Sequence, residues 1–301
     1  MVVLVTGANG QLGQAIQSIS GKYPEIDFVF CSSSELDITN LENCQAVFST
    51  YQPHFCINAA AYTAVDKAES EPAKAFNINA NGAENLAITS KKHHTILIHI
   101  STDFVFDAYF SEGVAYYDRE FRLPLKSNLG LNETDIPFPS GVYGLTKLQG
   151  EQAIQAIWEK HFIIRTSWVY SQFGNNFMKT MLRLASERDT LSVVADQIGT
   201  PTNAIDLAEV LIKIIHSSNC QSSFGIYNFS NEGKCSWYDF ANEIFHQKGI
   251  KIDLKPIPTS AYPTPAKRPA YSVLDKTKIK NTFDIEINEW QTSLANCINQ
   301  L

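Results

Sequence analysis

Short apolar runs alternate along the chain with longer stretches in which apolar residues recur every three or four positions. The short runs are typical of strands buried on both faces of a sheet, and the wider spacing is typical of helices that cover such a sheet. The strand-like runs lie at residues 2–5, 26–31, 55–58, 95–100, 161–166 and 225–229. Because strands and helices alternate, the pattern predicts an α/β fold with a Rossmann-type doubly wound parallel sheet.

The helical spacing also indicates how the chain is divided. Helices are predicted at residues 73–91, 142–158, 175–184, 204–215 and 237–247. A further helix is predicted after the second strand, with Asp37 or Thr39 as its N-terminal cap. From residue 175 onwards the pattern changes, so we expect an N-terminal domain over residues 1–174 and a smaller C-terminal lobe over residues 175–301. Parts of that lobe, such as residues 204–230, are expected to return to the sheet.

The first strand runs directly into a glycine-rich turn. Gly7, Gly10 and Gly13 have the spacing G-x-x-G-x-x-G and precede a helical pattern that starts at Leu12. Glycines at this spacing permit a tight turn and a close approach of ligand to main chain, while the helix N-terminus offers N–H groups to a pyrophosphate. A plain turn would not need three glycines at this spacing. The sequence therefore predicts that residues 1–174 form an NAD(P)-binding domain.

The residues after the second and third strands leave two questions open. An acidic residue at the end of the second strand is typical of NAD-selective folds, and a basic one of NADP-selective folds. Residues 32–34 are three serines, so the choice between NADH and NADPH is undetermined. Residues 59–63 either let the cofactor lie close to the main chain or form a helix-packing alanine run.

Tyr143 and Lys147 lie four residues apart on a predicted helix, so both side chains can point into one cleft. An ammonium about 4 Å from a phenolate stabilises it by roughly 4 kcal/mol at an effective dielectric constant of about 20, which predicts that Lys147 lowers the pKa of Tyr143. Thr102 follows the fourth strand and would add a hydroxyl to hold a reacting oxygen. A half-buried tyrosine beside a solvated lysine is the alternative for the pair alone.

Composition and charge restrict the class of protein. The chain has 301 residues, of which 44% are apolar and 18% charged, and a net charge of −7. The negative charge argues against a nucleic-acid partner. No apolar run is long enough to span a bilayer, and no leader sequence precedes the first strand, so we expect no membrane partner and a cytoplasmic location. The six cysteines are scattered, which favours buried reduced thiols over a disulfide framework or a zinc site.

Taken together, these motifs resemble the extended short-chain dehydrogenase/reductase superfamily, and within it the dTDP-4-dehydrorhamnose reductase family. The resemblance is carried by residues 5–13, 36–39, 58–71, 101–107, 143–151, 165–170, 174–177, 196–202 and 263–269. These stretches are spread over almost the whole chain. The runs NAAAYTAVDKAE (58–69) and RTSWVY (165–170) are the most specific to this branch.

The resemblance and the motifs together define a predicted site. The predicted cofactor-binding residues are Gly7, Gly10, Gln11, Leu12, Gly13, Asp37, Ile38, Ala61, Tyr62, Thr63 and Lys147. The predicted substrate-binding residues are Thr102, Asp103, Trp168, Asn176 and Arg268. By resemblance, Tyr143 would be the proton donor, Lys147 would contact the nicotinamide ribose and Thr102 would bond the reacting oxygen. Arg268 lies at the basic tip of a proline-rich loop, which suits an anionic ligand or is an ordinary surface connection.

The reaction that the resemblance implies is hydride transfer from NAD(P)H to C4 of dTDP-4-dehydro-6-deoxy-L-mannose, which gives dTDP-L-rhamnose for cell-surface polysaccharide. The protonated oxygen would be the former C4 carbonyl oxygen. Some members of the family dimerise through a metal held by acidic residues. A homodimer and a Mg²⁺ ion are therefore implied by resemblance, and the sequence does not identify the metal ligands.

Two departures from the family pattern keep alternatives open. The connection between Asp107 and Tyr143 is longer than in the family, with an apparent insertion around residues 108–131 that would lie beside the sugar pocket. Ser33 stands where many relatives have a basic residue. One alternative is a reductase of another nucleotide-linked 4-keto-6-deoxy sugar. Another is a non-catalytic, reductase-like regulatory subunit, against which the intact Thr102 and Lys147 weigh together with Tyr143.

Overall fold

The computed structural model describes residues 1–106 and 130–301, together with the backbone of three short strands between them. The strands are β1 (Val2–Thr6), β2 (Asp27–Cys31), β3 (Phe55–Asn58), β4 (Ile96–Thr102), β5 (Phe110–Ser111), β6 (Val114–Tyr117), β7 (Phe121–Pro124), β8 (His161–Thr166), β9 (Val169–Tyr170), β10 (Thr190–Val194), β11 (Ile198–Gly199), β12 (Thr202–Asn203), β13 (Gly225–Asn228), β14 (Cys235–Ser236) and β15 (Asp253–Ile257). The helices are α1 (Gln11–Ile19), α2 (Leu41–Tyr51), α3 (Val65–Ala68), α4 (Pro72–Phe76), α5 (Gly82–His93), α6 (Val142–Ile157), α7 (Phe177–Glu187), α8 (Ala204–His216), α9 (Trp237–Lys248), α10 (Thr277–Phe283) and α11 (Trp290–Ile298).

Six parallel strands form the central sheet, in the order β13–β8–β4–β3–β1–β2. They coincide with the six apolar runs, so the predicted doubly wound parallel sheet is confirmed. The chain moves outward from β1 to β2 and then crosses to β3 on the other side of β1. In open α/β sheets, ligands bind outside the carboxyl ends of the strands at such a reversal. The glycine-rich turn follows β1 at this position.

Alternate residues of each strand feed two apolar layers. In β1, Val3 and Val5 face a layer with α1 and α8, while Leu4 faces a layer with α2, α5 and α6. A third apolar cluster lies within residues 170–298 and includes residues of α7, α9 and α11. Two elements from the C-terminal part of the chain belong to this unit, since β13 is a strand of the central sheet and α8 packs on it. The domain boundary at residue 174 stays a prediction.

The predicted cap of the second helix is wrong. Asn40 caps α2, because its side-chain oxygen accepts a hydrogen bond from the N–H of Asn43 at 3.0 Å. Asp37 instead accepts from the N–H and the hydroxyl of Thr39, at 3.0 and 2.7 Å. This local side-chain-to-backbone bond stabilises a turn in place of a helical start, and the helix begins two residues later than Thr39.

Half of the insertion around residues 108–131 lies outside the described residues. Its three described strands, β5, β6 and β7, pair as an antiparallel sheet. The described chain resumes at Gly130 and is anchored by Leu131, whose N–H donates to the carbonyl of Val273 at 2.7 Å. The expected place of the insertion beside the sugar pocket stays a prediction.

The cysteines are Cys31, Cys44, Cys56, Cys220, Cys235 and Cys297, and all six are buried free thiols. The prediction of buried reduced thiols is confirmed. Across residues 1–106 and 130–301, no helix has both the length and the apolar character needed to cross a membrane.

Candidate active site

The glycine-rich turn is shaped by two close backbone contacts. Gly7 has a φ of +66°, and a Cβ there would lie 2.7 Å from the N of Ala60. A Cβ on Gly13 would lie 2.4 Å from the carbonyl oxygen of Gly7. Gly10 is the N-cap residue of α1, and no side chain of the cap residue forms a hydrogen bond with the helix start. The turn is therefore shaped to admit an anionic group to main-chain N–H donors, and the residues present fit the pyrophosphate of a dinucleotide.

Gln11 follows the turn and joins it to a distant part of the chain. Its Oε1 accepts hydrogen bonds from the Ser171 hydroxyl at 3.0 Å and from Nδ2 of Asn176 at 2.9 Å. Asn176 also caps α7 through the N–H of Lys179. Since both amide side chains are engaged with protein groups, Gln11 offers a cofactor its main-chain N–H. The predicted contact of Asn176 with the sugar is not tested by this geometry and stays a prediction.

The residues predicted beside the adenine and the cofactor cleft lie at the same edge of the sheet. Asp37 is exposed, and Ile38 is buried with its side chain against Gly82 of α5. Ala61 is partly buried and Thr63 is exposed, on the segment that follows β3. A Cβ on Gly82 would lie 2.7 Å from Cδ1 of Ile38, so the close packing of α5 depends on that glycine.

Asn79 is a residue of the site that sequence analysis missed. It lies in a π-helical turn, Asn77–Asn81, that interrupts the predicted helix 73–91. Its Oδ1 accepts from the N–H of Tyr62 at 2.8 Å, and its Nδ2 donates to the carbonyl of Tyr62 and the hydroxyl of Thr146, each at 3.1 Å. Asn79 thus holds the segment after β3 against α6. Its signal in the sequence is a polar residue on the apolar face of the helical pattern.

The structure brings Thr102 and Tyr143 together at the carboxyl end of β4. The tyrosine ring packs edge-on against Phe104, with ring centroids 5.5 Å apart. The Thr102 hydroxyl donates to Oδ1 of Asp103 at 3.1 Å and accepts from the N–H of Phe104 at 3.2 Å. A Cβ on Gly144 would lie 2.3 Å from the Phe104 carbonyl oxygen, so this glycine lets α6 approach β4 closely.

The pKa of Tyr143 moves opposite to the prediction. Burial raises it to about 12, and the Asp103 carboxylate adds to the rise while the Thr102 hydroxyl opposes it. Burial lowers the pKa of Lys147 to about 8, and its Nζ donates to the Ile100 carbonyl at 2.6 Å. The prediction that Lys147 lowers the pKa of Tyr143 is wrong, because desolvation is the largest influence on that pKa and the charge that acts on it is the Asp103 carboxylate. Tyr143 consequently keeps its proton at neutral pH, as a proton donor must.

Asp103 is a buried carboxyl beside these groups. Burial raises its pKa to about 6, and the hydroxyls of Ser272 and Thr102 oppose the rise. Its Oδ2 is buried and has no hydrogen-bond partner among the described residues. A buried acceptor of this kind is available to a hydroxyl of a sugar, which fits its predicted role.

Trp168 lies in a strained conformation at the side of the site. Its φ is +47°, which is uncommon for a large side chain, and its ring stacks on Trp237 with centroids 3.6 Å apart. Gly199 permits this position, since a Cβ there would lie 2.7 Å from the Trp168 ring. Strain of this kind concentrates at functional sites and fits a surface for the sugar.

Arg268 is engaged in a bidentate ion pair. Its two terminal nitrogens lie 3.0 and 2.8 Å from the carboxylate oxygens of Asp66, and Nη1 also donates to the Ala266 carbonyl. The Arg268 side chain is about one quarter exposed (26%), so part of it still reaches solvent. The pair fastens the proline-rich loop to the NAAAYTAVDKAE run. Contact of Arg268 with an anionic substrate stays a prediction.

A buried ion pair supports the helix that carries Tyr143 and Lys147. Glu151 of α6 accepts from the Ser101 hydroxyl at 2.5 Å and from Arg165 of β8 at 2.6 Å. Glu151 is one helical turn after Lys147 and fully buried, and sequence analysis did not single it out. In the described part of the chain, no group of three or more histidine, cysteine or acidic side chains is placed to hold a metal ion. The implied Mg²⁺ ion stays a prediction.

Comparisons with known proteins match this chain over its whole length. The model of the RmlD substrate binding domain family matches residues 1–301. A dTDP-4-dehydrorhamnose reductase of Aggregatibacter actinomycetemcomitans is 42% identical over 98% of this chain and 97% of its own length. A crystal structure of a dTDP-4-dehydrorhamnose reductase from Clostridium acetobutylicum has a TM-score of 0.88 at 40% identity, covering 100% of this chain and 99% of the other.

A second solved structure, of dTDP-4-dehydrorhamnose reductase from Bacillus anthracis, is in complex with NADP. It has a TM-score of 0.88 at 39% identity and covers 100% of this chain and 99% of its own. The resemblance predicted from the motifs is confirmed by these full-length matches. The chain therefore belongs to the RmlD substrate binding domain family, in which full-length relatives carry the name dTDP-4-dehydrorhamnose reductase.

Proposed function

We propose that this chain reduces the C4 keto group of dTDP-4-dehydro-6-deoxy-L-mannose with a nicotinamide dinucleotide, giving dTDP-L-rhamnose for cell-surface polysaccharide. The observation that carries the proposal is the meeting of Thr102 with the protonated Tyr143 at the strand ends beside the glycine-rich turn. The name of the full-length relatives, dTDP-4-dehydrorhamnose reductase, supports the same substrate class. The site residues predicted from the sequence are the proposed binding and catalytic residues.

The residues divide the work of the reaction between them. The bound cofactor supplies a hydride to C4 of the sugar and is oxidised. Tyr143 donates the phenolic proton to the carbonyl oxygen, and its high pKa keeps that proton available at neutral pH. The Thr102 hydroxyl fixes the position of the reacting oxygen, and Oδ2 of Asp103 accepts from a sugar hydroxyl. Main-chain N–H groups at the start of α1 hold the pyrophosphate.

We propose NADPH as the preferred cofactor. A relative with 39% identity has been solved in complex with NADP. At the end of β2, Ser32 donates to Glu35 through both its N–H and its hydroxyl at 2.7 Å, so the Glu35 carboxylate is already engaged by protein donors. A higher kcat/KM for NADH than for NADPH would contradict this choice.

The decisive assay follows cofactor oxidation by the purified protein, with the dTDP-4-keto sugar supplied by the enzymes that make it. The product is then compared by chromatography with dTDP-L-rhamnose and with its C4 epimer. Tyr143→Phe is expected to lower kcat at least about a hundredfold and to leave cofactor affinity nearly unchanged. Formation of the C4 epimer would favour the alternative sugar. Cofactor binding without turnover of either sugar would favour a regulatory subunit.

A cytoplasmic location, a homodimer and a Mg²⁺ ion complete the proposal. The homodimer and the Mg²⁺ ion rest on the family resemblance, and one experiment tests both. Light scattering with and without a chelator should show a dimer that loses mass when the metal is removed. If the mass is unchanged by the chelator, no metal is needed to hold the dimer together.

A further inference from the structure

A buried chain of polar groups leads from Lys147 to the glycine-rich turn. Nζ of Lys147 lies 3.2 Å from Nε2 of His99, and Nδ1 of His99 lies 2.9 Å from Nδ2 of Asn58. Oδ1 of Asn58 accepts from the hydroxyl of Thr6 at 2.7 Å. All four side chains are at most 2% exposed. The chain of groups runs from the middle of β4 across the carboxyl ends of β3 and β1 and ends one residue before the turn.

The hydrogens in this chain can be assigned from one fixed donor. The main-chain N–H of Ala60 lies 3.2 Å from Oδ1 of Asn58 and 3.3 Å from the Thr6 hydroxyl oxygen. Since an N–H can only donate, the atom of Asn58 that faces Ala60 is its oxygen. Nδ2 therefore faces His99, and it too can only donate. Nδ1 of His99 must then accept, and a neutral ring carries its hydrogen on Nε2.

This tautomer has a consequence for Lys147. Burial and the neighbouring Lys147 hold the pKa of His99 well below its usual range, so the ring stays neutral. Its Nε2–H then faces Nζ of Lys147. An ammonium has three hydrogens and no lone pair, whereas an uncharged amine can accept from Nε2–H while donating to the Ile100 carbonyl. The arrangement satisfies every group when Lys147 is an amine. With Lys147 as an ammonium, the Nε2–H of His99 faces another donor, and moving that hydrogen to Nδ1 would set it against the Asn58 amide, which can only donate.

Other ionisable groups also face this pair from neighbouring elements. Glu151, on α6, raises the pKa of Lys147, but its carboxylate is shared with Arg165 of β8. His161 of β8 lowers the pKa of His99 and donates through Nδ1 to the Trp158 carbonyl. Among the described residues, His99 is the ionisable group whose ring nitrogen contacts Nζ of Lys147 directly.

We propose that His99, oriented by Asn58 and Thr6, is a positioning residue that aims Lys147 and decides whether its nitrogen carries a proton. The proposal rests on the proposed function, in which Lys147 acts at the nicotinamide ribose. In the sequence, His99 is visible as a polar interruption of the buried strand β4.

The first test is independent of activity. In protein labelled with ¹⁵N-histidine, two-bond proton–nitrogen spectra distinguish the two ring tautomers, and the His99 signals are those that disappear in His99→Gln. Above the Lys147 pKa of about 8, we expect the Nε2–H tautomer. Below it, the Nε2–H of His99 loses its acceptor, so the nitrogen shifts of His99 should change as Lys147 gains a proton. An Nδ1–H tautomer on the alkaline side would overturn the proposal.

The second test changes the acceptor that faces Nδ1. In Asn58→Asp, the carboxylate can still accept from Thr6 and Ala60, and it also accepts from Nδ1–H of His99. The Nε2 lone pair then faces Lys147 and favours the ammonium. In the pH profile of kcat/KM, the midpoint that belongs to Lys147 should therefore rise. The rise should correspond to a gain in proton affinity of about tenfold or more. The dissociation constant for NADPH should change little.

A second variant separates hydrogen bonding from charge. His99→Gln adds no charge, yet its carbonyl can accept from an ammonium, so the midpoint should also rise. His161→Gln removes another buried histidine that does not contact Lys147, and its midpoint should equal that of the parent. If the midpoint is unmoved in His99→Gln and in Asn58→Asp, the proposal is wrong. If no sugar is reduced by any of these proteins, the proposed function fails, while the tautomer spectra still decide the proposal on His99.

Discussion

Replacing Asp103 by asparagine removes a buried negative charge and keeps the size of the side chain. An asparagine oxygen can still accept from the Thr102 hydroxyl, which now donates to Oδ1 of Asp103 at 3.1 Å. The second carboxylate oxygen is buried and has no partner among the described residues. We therefore expect Asp103→Asn to stabilise the fold at neutral pH and to weaken binding of the sugar, a trade that is common at binding sites.

The size of the stabilisation follows from the pKa. Burial raises the pKa of Asp103 from 3.8 to about 6. A carboxyl whose pKa is raised in the folded state contributes stability below pH 3.8, and that contribution is lost as the pH rises through about 6. The full loss is about 3 kcal/mol of unfolding free energy, and the part lost between about pH 5 and about pH 7.5 is about 1.4 kcal/mol.

Urea unfolding followed by circular dichroism measures this effect at both pH values. The stability of Asp103→Asn relative to the parent should increase by about 1.4 kcal/mol from about pH 5 to about pH 7.5. Asp27→Asn removes one negative charge at an exposed position of β2 and reports the general effect of charge. If the stability difference between Asp103→Asn and the parent is equal at the two pH values, the reasoning is refuted. The Asp103 carboxyl would then have the same pKa in the folded and the unfolded protein. The KM for the sugar should rise in Asp103→Asn while that for NADPH stays the same.

Three further substitutions test the remaining parts of the site. Gly13→Ala would place a methyl group 2.4 Å from a carbonyl of the glycine-rich turn. It should weaken NADPH binding in a fluorescence titration at least about tenfold, whereas Gly21→Ala, in open space, should not. Glu151→Gln leaves its buried arginine partner without a counter-charge and should lower the unfolding free energy by about 3–5 kcal/mol. Glu187→Gln, which breaks an exposed ion pair, should lower it by less than about 1 kcal/mol. Arg268→Met should raise the KM for the sugar at least about tenfold and leave that for NADPH unchanged. An equal rise in the KM for the sugar and the KM for NADPH would indicate that Arg268 acts only through its ion pair with Asp66.

Local patterns predicted most of the architecture. Six apolar runs became the six strands of one parallel sheet, and the glycine spacing placed a tight turn after β1. The separation of four residues put Tyr143 and Lys147 on one helix, α6. These features depend on residue spacing within a segment, and spacing is written directly in the sequence. The cap at Asn40 was missed because nearby polar residues compete for the same backbone groups.

The chemistry of the site depended on residues that are far apart in the chain. Spacing alone predicted that Lys147 would lower the pKa of Tyr143, but burial raises it to about 12. The contact of Lys147 with His99 joins residues 48 positions apart, and the pair of Asp66 with Arg268 joins residues 202 positions apart. The sequence by itself determined which segments become strands, helices and the glycine-rich turn, because those choices follow local periodicity. Only the tertiary structure decided the protonation states and polar partners, because desolvation and hydrogen bonding depend on neighbours that the fold brings together.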